Sequence, residues 1–243
     1  MGKIYMLTIP RSKCHKREIM TFLDSHDVHR WIVAKETGKG GYEHWQVRLS
    51  TSATFDEIKT AFPYAHIEES TQWCNYERKE GRYVCSEDTN PILRCRFGTP
   101  RDNQRRILGR IYTQSDRGID VIVDTSGNHG KSWLSRHLWE NGKAYIVPST
   151  INTTQGIIQY IASGYANEGI VIIDIPRSCK WTPQLYEAIE VIKDGLIYDT
   201  RYSAKMRDIY GVKVLIMTNT KPQLDKLSKD RWRLWNSNGD PLT

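Results

Sequence analysis

The residues from Val121 to Ser132, Val-Ile-Val-Asp-Thr-Ser-Gly-Asn-His-Gly-Lys-Ser, carry the densest chemistry in the chain. An apolar run leads into a glycine-containing turn, then Gly130-Lys131-Ser132, then a helix-forming pattern. That is the layout of a phosphate-binding loop. Backbone N–H groups of such a turn point at phosphate oxygens, and the helix N-terminus behind them adds partial positive charge. Gly127, Asn128, His129 and Gly130 would make the turn, Lys131 would reach the β and γ phosphates of a nucleotide, and Ser132 would serve Mg²⁺. Thr125 stands where the usual pattern has its first glycine, with Gly127 placed to serve the turn instead. The bland alternative is a glycine turn without a ligand.

A second set of residues lies near the N-terminus. The predicted strand Glu43-His44-Trp45-Gln46 places His44 and Gln46 at i and i+2, on one face. Glu36 sits on the strand before it. A carboxylate, an imidazole and an amide oxygen together suit a hard divalent ion, Mg²⁺ or Mn²⁺, with coordination positions left open. Tyr76 and Lys79 fall at i and i+3 of a predicted helix. A tyrosine hydroxyl becomes a useful nucleophile once something positions it or lowers its pKa, and a lysine beside a metal-bound phosphate can do so. Each residue alone also has a plain reading: a hydrogen-bonded strand histidine, a packed tyrosine, a solvated glutamate.

The elements that must position these residues fall into two patterns. Strands are predicted near 3–9, 30–36, 43–49, 65–68 and 82–85, with helices over 16–24, 55–62 (opened by the capping box Thr54-x-x-Glu57) and 71–80. The polar, proline-containing stretch 86–100 reads as a linker, followed by a basic helix over about 102–114. From 119 onward strands (119–123, 144–147, 169–174, 212–218) alternate with helices (131–141, 154–163, 183–193), which argues for a parallel sheet covered by helices. The chain of 243 residues has length for two small domains, and its net charge of +7 favours a polyanionic partner, nucleic acid before membrane. No apolar run approaches a membrane span. The five cysteines have no repeated CxxC spacing and read as thiols of a reducing compartment.

The order of these segments resembles the replication initiator (Rep) proteins of small circular single-stranded DNA viruses, the group that includes circoviruses, nanoviruses and smacoviruses, with a smacovirus-like start. Tyr5-Met6-Leu7-Thr8-Ile9-Pro10 is similar to the family's first rolling-circle motif, His44-Trp45-Gln46 to the second (the HUH motif, with Gln for its second His), and Tyr76-Glu77-Arg78-Lys79 to the third. The resemblance implies an α+β, ferredoxin-like HUH endonuclease domain over 1–90, a linker or oligomerisation segment over 91–118, and an α/β P-loop (AAA+-like, superfamily 3 helicase) domain over 119–243. Tyr76 and Lys79 are then the catalytic pair and Glu36, His44 and Gln46 the metal ligands. Lys131 and Ser132 match Walker A, Ile170–Asp174 matches Walker B, and Val214–Asn219 matches motif C, whose Asn219 would orient the attacking water. Ile175 follows Asp174 where an acidic pair is commoner, which leaves the base for ATP hydrolysis unassigned.

Basic and aromatic residues interleave in Tyr198–Arg207, a composition suited to single-stranded DNA, with Arg201, Tyr202 and Lys205 as candidates. Arg231 and Arg233 are candidates for an arginine finger, or for surface charge. The implied partners are single-stranded DNA, an origin stem-loop, ATP with Mg²⁺ and further copies of the chain in a hexameric ring, with no membrane, and the implied location is the host nucleus. The rival expectations are a DNA-binding initiator or motor with a degenerate nuclease, and a plasmid-type initiator of the same nuclease fold.

Overall fold

The computed structural model describes residues 2–26, 28–199 and 205–242. Their order is β1 (Lys3–Pro10), α1 (Lys16–Ser25), β2 (Arg30–Thr37), β3 (Glu43–Thr51), α2 (Phe55–Ala61), β4 (His66–Ser70), β5 (Tyr83–Cys85), α3 (Asn90–Phe97), α4 (Asp102–Tyr112), β6 (Ile119–Val123), α5 (Lys131–Glu140), β7 (Ala144–Val147), α6 (Thr154–Gly164), β8 (Ile170–Asp174), α7 (Pro183–Asp194), β9 (Leu196–Asp199), β10 (Lys205–Asp208), β11 (Lys213–Thr218) and β12 (Trp232–Asn236). The chain divides into two compact units, Met1–Arg96 with Glu140–Gly142, and Phe97–Trp139 with Lys143–Thr243. It is a mixed α/β protein with one antiparallel and one parallel five-stranded sheet.

The first unit is built on an antiparallel sheet in the order β4-β1-β3-β2-β5. Strand residues alternate between faces, so the register decides what each face holds. Leu7 pairs with Val47, and Val47 with Val33. These side chains, with Tyr5, Ile9 and Leu49, meet Ile19, Phe22 and Leu23 of α1 and Ile58 of α2 in one core. Each fully buried aliphatic side chain there contributes roughly 1.5–3 kcal/mol. The capping box that opens α2 is present: Thr54 Oγ1 accepts from Glu57 N–H at 3.3 Å, and Glu57 accepts from Thr54 N–H at 2.7 Å.

The second unit has a parallel sheet in the order β12-β6-β11-β8-β7. All five residues of β6 are buried, as befits a strand covered on both faces. Val123 pairs with Thr218 and Asp174 with Met217, so β6, β11 and β8 end level with one another at their carboxyl ends. In open α/β sheets, that edge is where ligands bind. Helix α7 obeys the terminus rules throughout. Thr182 caps Leu185 N–H at 3.3 Å, Pro183 occupies the first turn, and Gly195 ends the helix at φ 86°. A Cβ on Gly195 would lie 2.6 Å from Tyr210 Cα, so glycine is required there twice over.

Three expectations need correction. The helix over 71–80 is absent, and only a three-residue 3₁₀ turn, Tyr76–Arg78, forms. The carbonyl of Gln72, which a helix would give to residue 76, accepts instead from Ser70 Oγ at 2.9 Å and Arg48 Nη1 at 3.5 Å. The supposed linker 86–100 holds α3, because Thr89 accepts from Ile92 N–H at 3.4 Å and Pro91 lies in the first turn, where no N–H is needed. The edge strand β12 has no counterpart among the expected elements, while the antiparallel β9–β10 pair agrees with the plain reading of the segment around Tyr198–Arg207 as a charged hairpin. Among the described residues no helix is long and apolar enough to cross a membrane.

Leu7 has 0% exposure at the centre of the first core. Leu7→Ala is expected to destabilise the unit by about 2–5 kcal/mol and Thr54→Ala by about 1 kcal/mol. Urea unfolding followed by circular dichroism checks both, and equal losses would contradict this ranking.

Candidate functional site

The sheet face opposite the first core carries polar residues. His44 and Gln46 stand two apart on β3, Glu36 pairs with His44 from β2, and Thr8 pairs with Gln46 from β1. All three candidate ligands are buried, at 4% (Glu36), 8% (His44) and 5% (Gln46) exposure. His44 Nδ1 lies 3.2 Å from the Tyr42 carbonyl, which only accepts, so Nδ1 carries the proton. Nε2, the other ring nitrogen, faces Glu36 Oε2, 3.8 Å away. Glu36 Oε1 is buried with no hydrogen-bond partner in the described structure. Gln46 Oε1 accepts from Thr8 Oγ1 at 3.0 Å and keeps a second lone pair.

This donor set fits a hard divalent ion: a carboxylate with an orphaned oxygen, an imidazole nitrogen and an amide oxygen. Among the described residues no group of three or more His, Cys, Asp or Glu could hold a metal, and here the third donor is an amide. Lys79 Nζ lies 2.8 Å from Glu36 Oε2 and 3.6 Å from the centre of the Tyr76 ring. Burial works against the Lys79 ammonium, but hydrogen bonds to Glu36 and to the Tyr76 hydroxyl, with their charges, outweigh it and raise its pKa. The structure thus brings Tyr76, Lys79, Glu36 and His44 into one chain of contacts. Tyr76 itself is 56% exposed, open to a substrate.

The second cluster lies at the carboxyl edge of the parallel sheet. Gly127, Asn128 and Gly130 adopt positive φ (81°, 65° and 80°), which turns the loop before α5 starts at Lys131. Asp124, which sequence reading left without a role, organises the loop. Its Oδ1 accepts from Gly127 N–H at 2.8 Å and His129 Nδ1 at 2.9 Å, and its Oδ2 accepts from Lys131 Nζ at 2.8 Å. Burial alone would raise the Asp124 pKa. The hydrogen bonds from Lys131, Gly127 and His129 reverse this and push it down to about 2. Asn219 Nδ2 donates to the Asp124 carbonyl at 2.6 Å and ties the end of β11 to the loop. Asp174 ends β8 at the same level, its pKa raised by burial against the opposing charge of Lys131. Ser132 is exposed in the first turn of α5.

Three more residues grip this loop without any local signal in the sequence. Gln104, 1% exposed on α4, donates to the Gly130 carbonyl at 2.9 Å. Asn103 donates to the His129 carbonyl at 3.3 Å. Arg177 reaches the carbonyls of Thr125 and Ser126, each at 3.4 Å. The segment expected to be a linker or oligomerisation element therefore also braces the loop. Of the DNA candidates, Arg201 and Tyr202 lie outside the described residues, and Lys205 opens β10 opposite Asp199. Arg231 is buried and pairs with Asp194 at 2.9 Å. Arg233 pairs with Asp120 at 3.2 Å and donates to the Arg110 carbonyl at 2.9 Å. A finger role would require either arginine to give up these intrachain partners.

No protein-family profile matches the chain. It is similar to curated replication proteins. A master replication protein of Banana bunchy top virus is 31% identical over 118 residues, 49% of this chain and 39% of the relative. A Para-Rep protein of a Subterranean clover stunt alphasatellite is 33% identical over 184 residues, 74% of this chain and 58% of the relative. A Para-Rep protein of a Milk vetch dwarf alphasatellite is 28% identical over 223 residues, 82% of this chain and 75% of the relative. The chain spans less than two thirds of the length of the first two.

The depressed pKa of Asp124 has a stability consequence. The drop from 3.8 to about 2 corresponds to about 2 kcal/mol of stability. It is fully present above about pH 4 and lost as pH falls through the folded value near 2. Asp124→Asn is therefore expected to be less stable than the wild type at pH 6, with the gap closing on acidification. Thermal melts of both proteins from pH 6 to 2 check this, and a gap independent of pH would contradict it.

Proposed function

Because the chain belongs to the replication initiator (Rep) proteins of small circular single-stranded DNA viruses, we propose that it starts rolling-circle replication in two ways. It nicks and rejoins single-stranded origin DNA through Tyr76, and it unwinds DNA with the energy of ATP. The carrying observation is the contact chain Tyr76–Lys79–Glu36–His44, which sets the ring of an exposed tyrosine against an ammonium that is paired with a buried, under-coordinated carboxylate.

In the nicking step the Tyr76 hydroxyl oxygen forms a bond to the scissile phosphorus and the bond from phosphorus to the 3′ oxygen breaks. The phenolic proton is lost and the 3′ oxygen gains one, leaving a 5′-phosphotyrosyl enzyme and a free 3′-OH that primes synthesis. The reverse transesterification rejoins the strand. Lys79 offsets the charge that builds on the phosphate and holds it in line with Tyr76. Glu36, His44 and Gln46 hold a Mg²⁺ or Mn²⁺ ion, which when bound supplies Lewis-acid polarisation of the phosphate. The His44 tautomer set by the Tyr42 carbonyl keeps Nε2 ready to ligate.

In the second unit, Lys131 and the loop N–H groups would take the nucleotide phosphates, while Ser132 and Asp174 would hold the Mg²⁺ that offsets their charge. Asn219, anchored to the loop, stands where it can orient water. Motor action of this class proceeds in a ring of subunits, here a hexamer, on DNA in the host nucleus. The basic character of the chain suits that partner.

Two outcomes test the reading. Tyr76→Phe deletes only the nucleophilic oxygen. It is expected to abolish the covalent protein–DNA adduct formed with a random-sequence single-stranded pool in a stem-loop frame plus Mn²⁺, leaving DNA binding within about twofold. Denaturing gels read the adduct. An adduct from the variant would refute Tyr76 as the nucleophile, and none from the wild type would favour a DNA-binding motor with a degenerate nuclease.

Lys131→Ala is expected to lose ATP hydrolysis by about 100-fold or more while keeping adduct formation, since the nicking residues all lie on the first unit. Paired ATPase and adduct assays read the separation. Wild-type hydrolysis in the variant would refute the phosphate-binding assignment.

A further inference from the structure

The turn that presents Tyr76 lacks the helix that would ordinarily fix a catalytic side chain. Residues 71–75 are irregular, and the regular structure that remains is the 3₁₀ turn Tyr76–Arg78. Something else must hold it. Glu77, the residue after Tyr76, turns inward and is 1% exposed. Its partner is Arg48, with Nε to Oε1 at 2.9 Å and side-chain exposures of 5% and 0%. Arg48 is the next residue on the site face of β3 after His44 and Gln46. The same guanidinium reaches Ser70 Oγ at 3.4 Å and the Gln72 carbonyl at 3.5 Å, so it fastens β3 to the end of β4 and to the irregular segment as well.

We propose that Arg48 and Glu77 are positioning residues for the nicking reaction, a buried ion pair that fixes the Tyr76–Lys79 turn in register with the residues on β3 that hold the metal. This rests on the nuclease reading above. The pair links the nucleophile and the ligand strand through one side chain from each. A buried ion pair is suited to this because it cannot slide: any shift of the turn leaves two charges unpaired away from water, whereas an apolar contact would tolerate the shift. Glu77 Oε2 is buried without a hydrogen-bond partner in the described structure, so the carboxylate depends on Arg48 for its charge. Displacements of about 1 Å at a reacting group cost about 100-fold in rate, the order of effect at stake here.

The test uses the full chain and the double variant Arg48→Met/Glu77→Leu. Replacing both members of a buried pair by apolar residues of similar size leaves stability intact or improves it, so this protein folds where either single change would strand a charge. Thermal melting checks that it has folded. The substrate is the random-sequence stem-loop pool with Mn²⁺. The double variant is expected to bind DNA and Mn²⁺ within about twofold of the wild type and to keep its KM, while kcat for adduct formation falls about 100-fold.

A double variant with wild-type kcat overturns the proposal and leaves the nuclease reading standing. So does a parallel loss of melting temperature, metal binding and kcat, which a merely structural pair would give. A wild-type protein that forms no adduct overturns the nuclease reading and this proposal with it.

Discussion

The pleat of β3 imposes a division that the first unit cannot avoid. Val47 and Leu49 go to one face and meet α1 and α2, while His44, Gln46 and Arg48 go to the other. A slip of one residue would put an imidazole, an amide and a guanidinium into the core and large apolar groups on the polar face. The core therefore enforces the site: the same apolar burial that stabilises the sheet fixes which residues of β1, β2 and β3 can stand together on the polar face. The second unit meets an equivalent constraint in parallel form. The register of β6, β11 and β8 brings Asp124, Asn219 and Asp174 to one edge, although Asp124 and Asn219 are 95 positions apart in the chain.

Both sites resolve the same electrostatic problem alike. Each has a deeply buried carboxylate, and each carboxylate holds a lysine at 2.8 Å, Glu36 with Lys79 and Asp124 with Lys131. A buried charge without a partner is far costlier than one with a partner, so the lysine is kept close in the absence of any ligand. An arriving phosphate must compete with that carboxylate for the ammonium. Beside its lysine, Glu36 keeps one buried oxygen without a hydrogen-bond partner in the described structure. Asp124 has two further donors, Gly127 N–H and His129, that would remain with it when Lys131 turns away.

Much of the fold was legible because strand alternation and helix caps are local. Strands β1, β2, β3, β6, β8 and β11 fall close to their predicted spans, and the Thr54 capping box formed as read. The helix over 71–80, expected from Ser70 as its cap and Gly81 as its end, does not form because serine and glycine mark turns as well as helix ends: Ser70 Oγ donates to the Gln72 carbonyl instead, and only the 3₁₀ turn Tyr76–Arg78 closes. The Asn90-Pro91 pair looked like a loop because proline at the start of a helix and proline in a turn look identical without the partner of Thr89. The paired residues of the sites were divided in the same way. Glu36, His44 and Lys131 announce themselves by type and spacing. Asp124, Gln104, Arg48 and Glu77 owe their roles to contacts made across 7 to 29 positions or to another element, and nothing adjacent to them records this.

The placement of β12 has a consequence for how the chain assembles. The first unit's five strands all come from residues 3–85, so that sheet can close as soon as this short stretch has left the ribosome. The sheet of the second unit cannot. Strand β6 lies between β11 and β12, and its partners arrive about a hundred residues after it. Non-local parallel pairing of this kind is slow, and until it completes β6 is an apolar strand with two open edges. During synthesis the wholly buried strand that leads into the phosphate-binding loop therefore waits longest for its neighbours. The interval between the emergence of Val123 and that of Trp232 is when this chain is most exposed to aggregation.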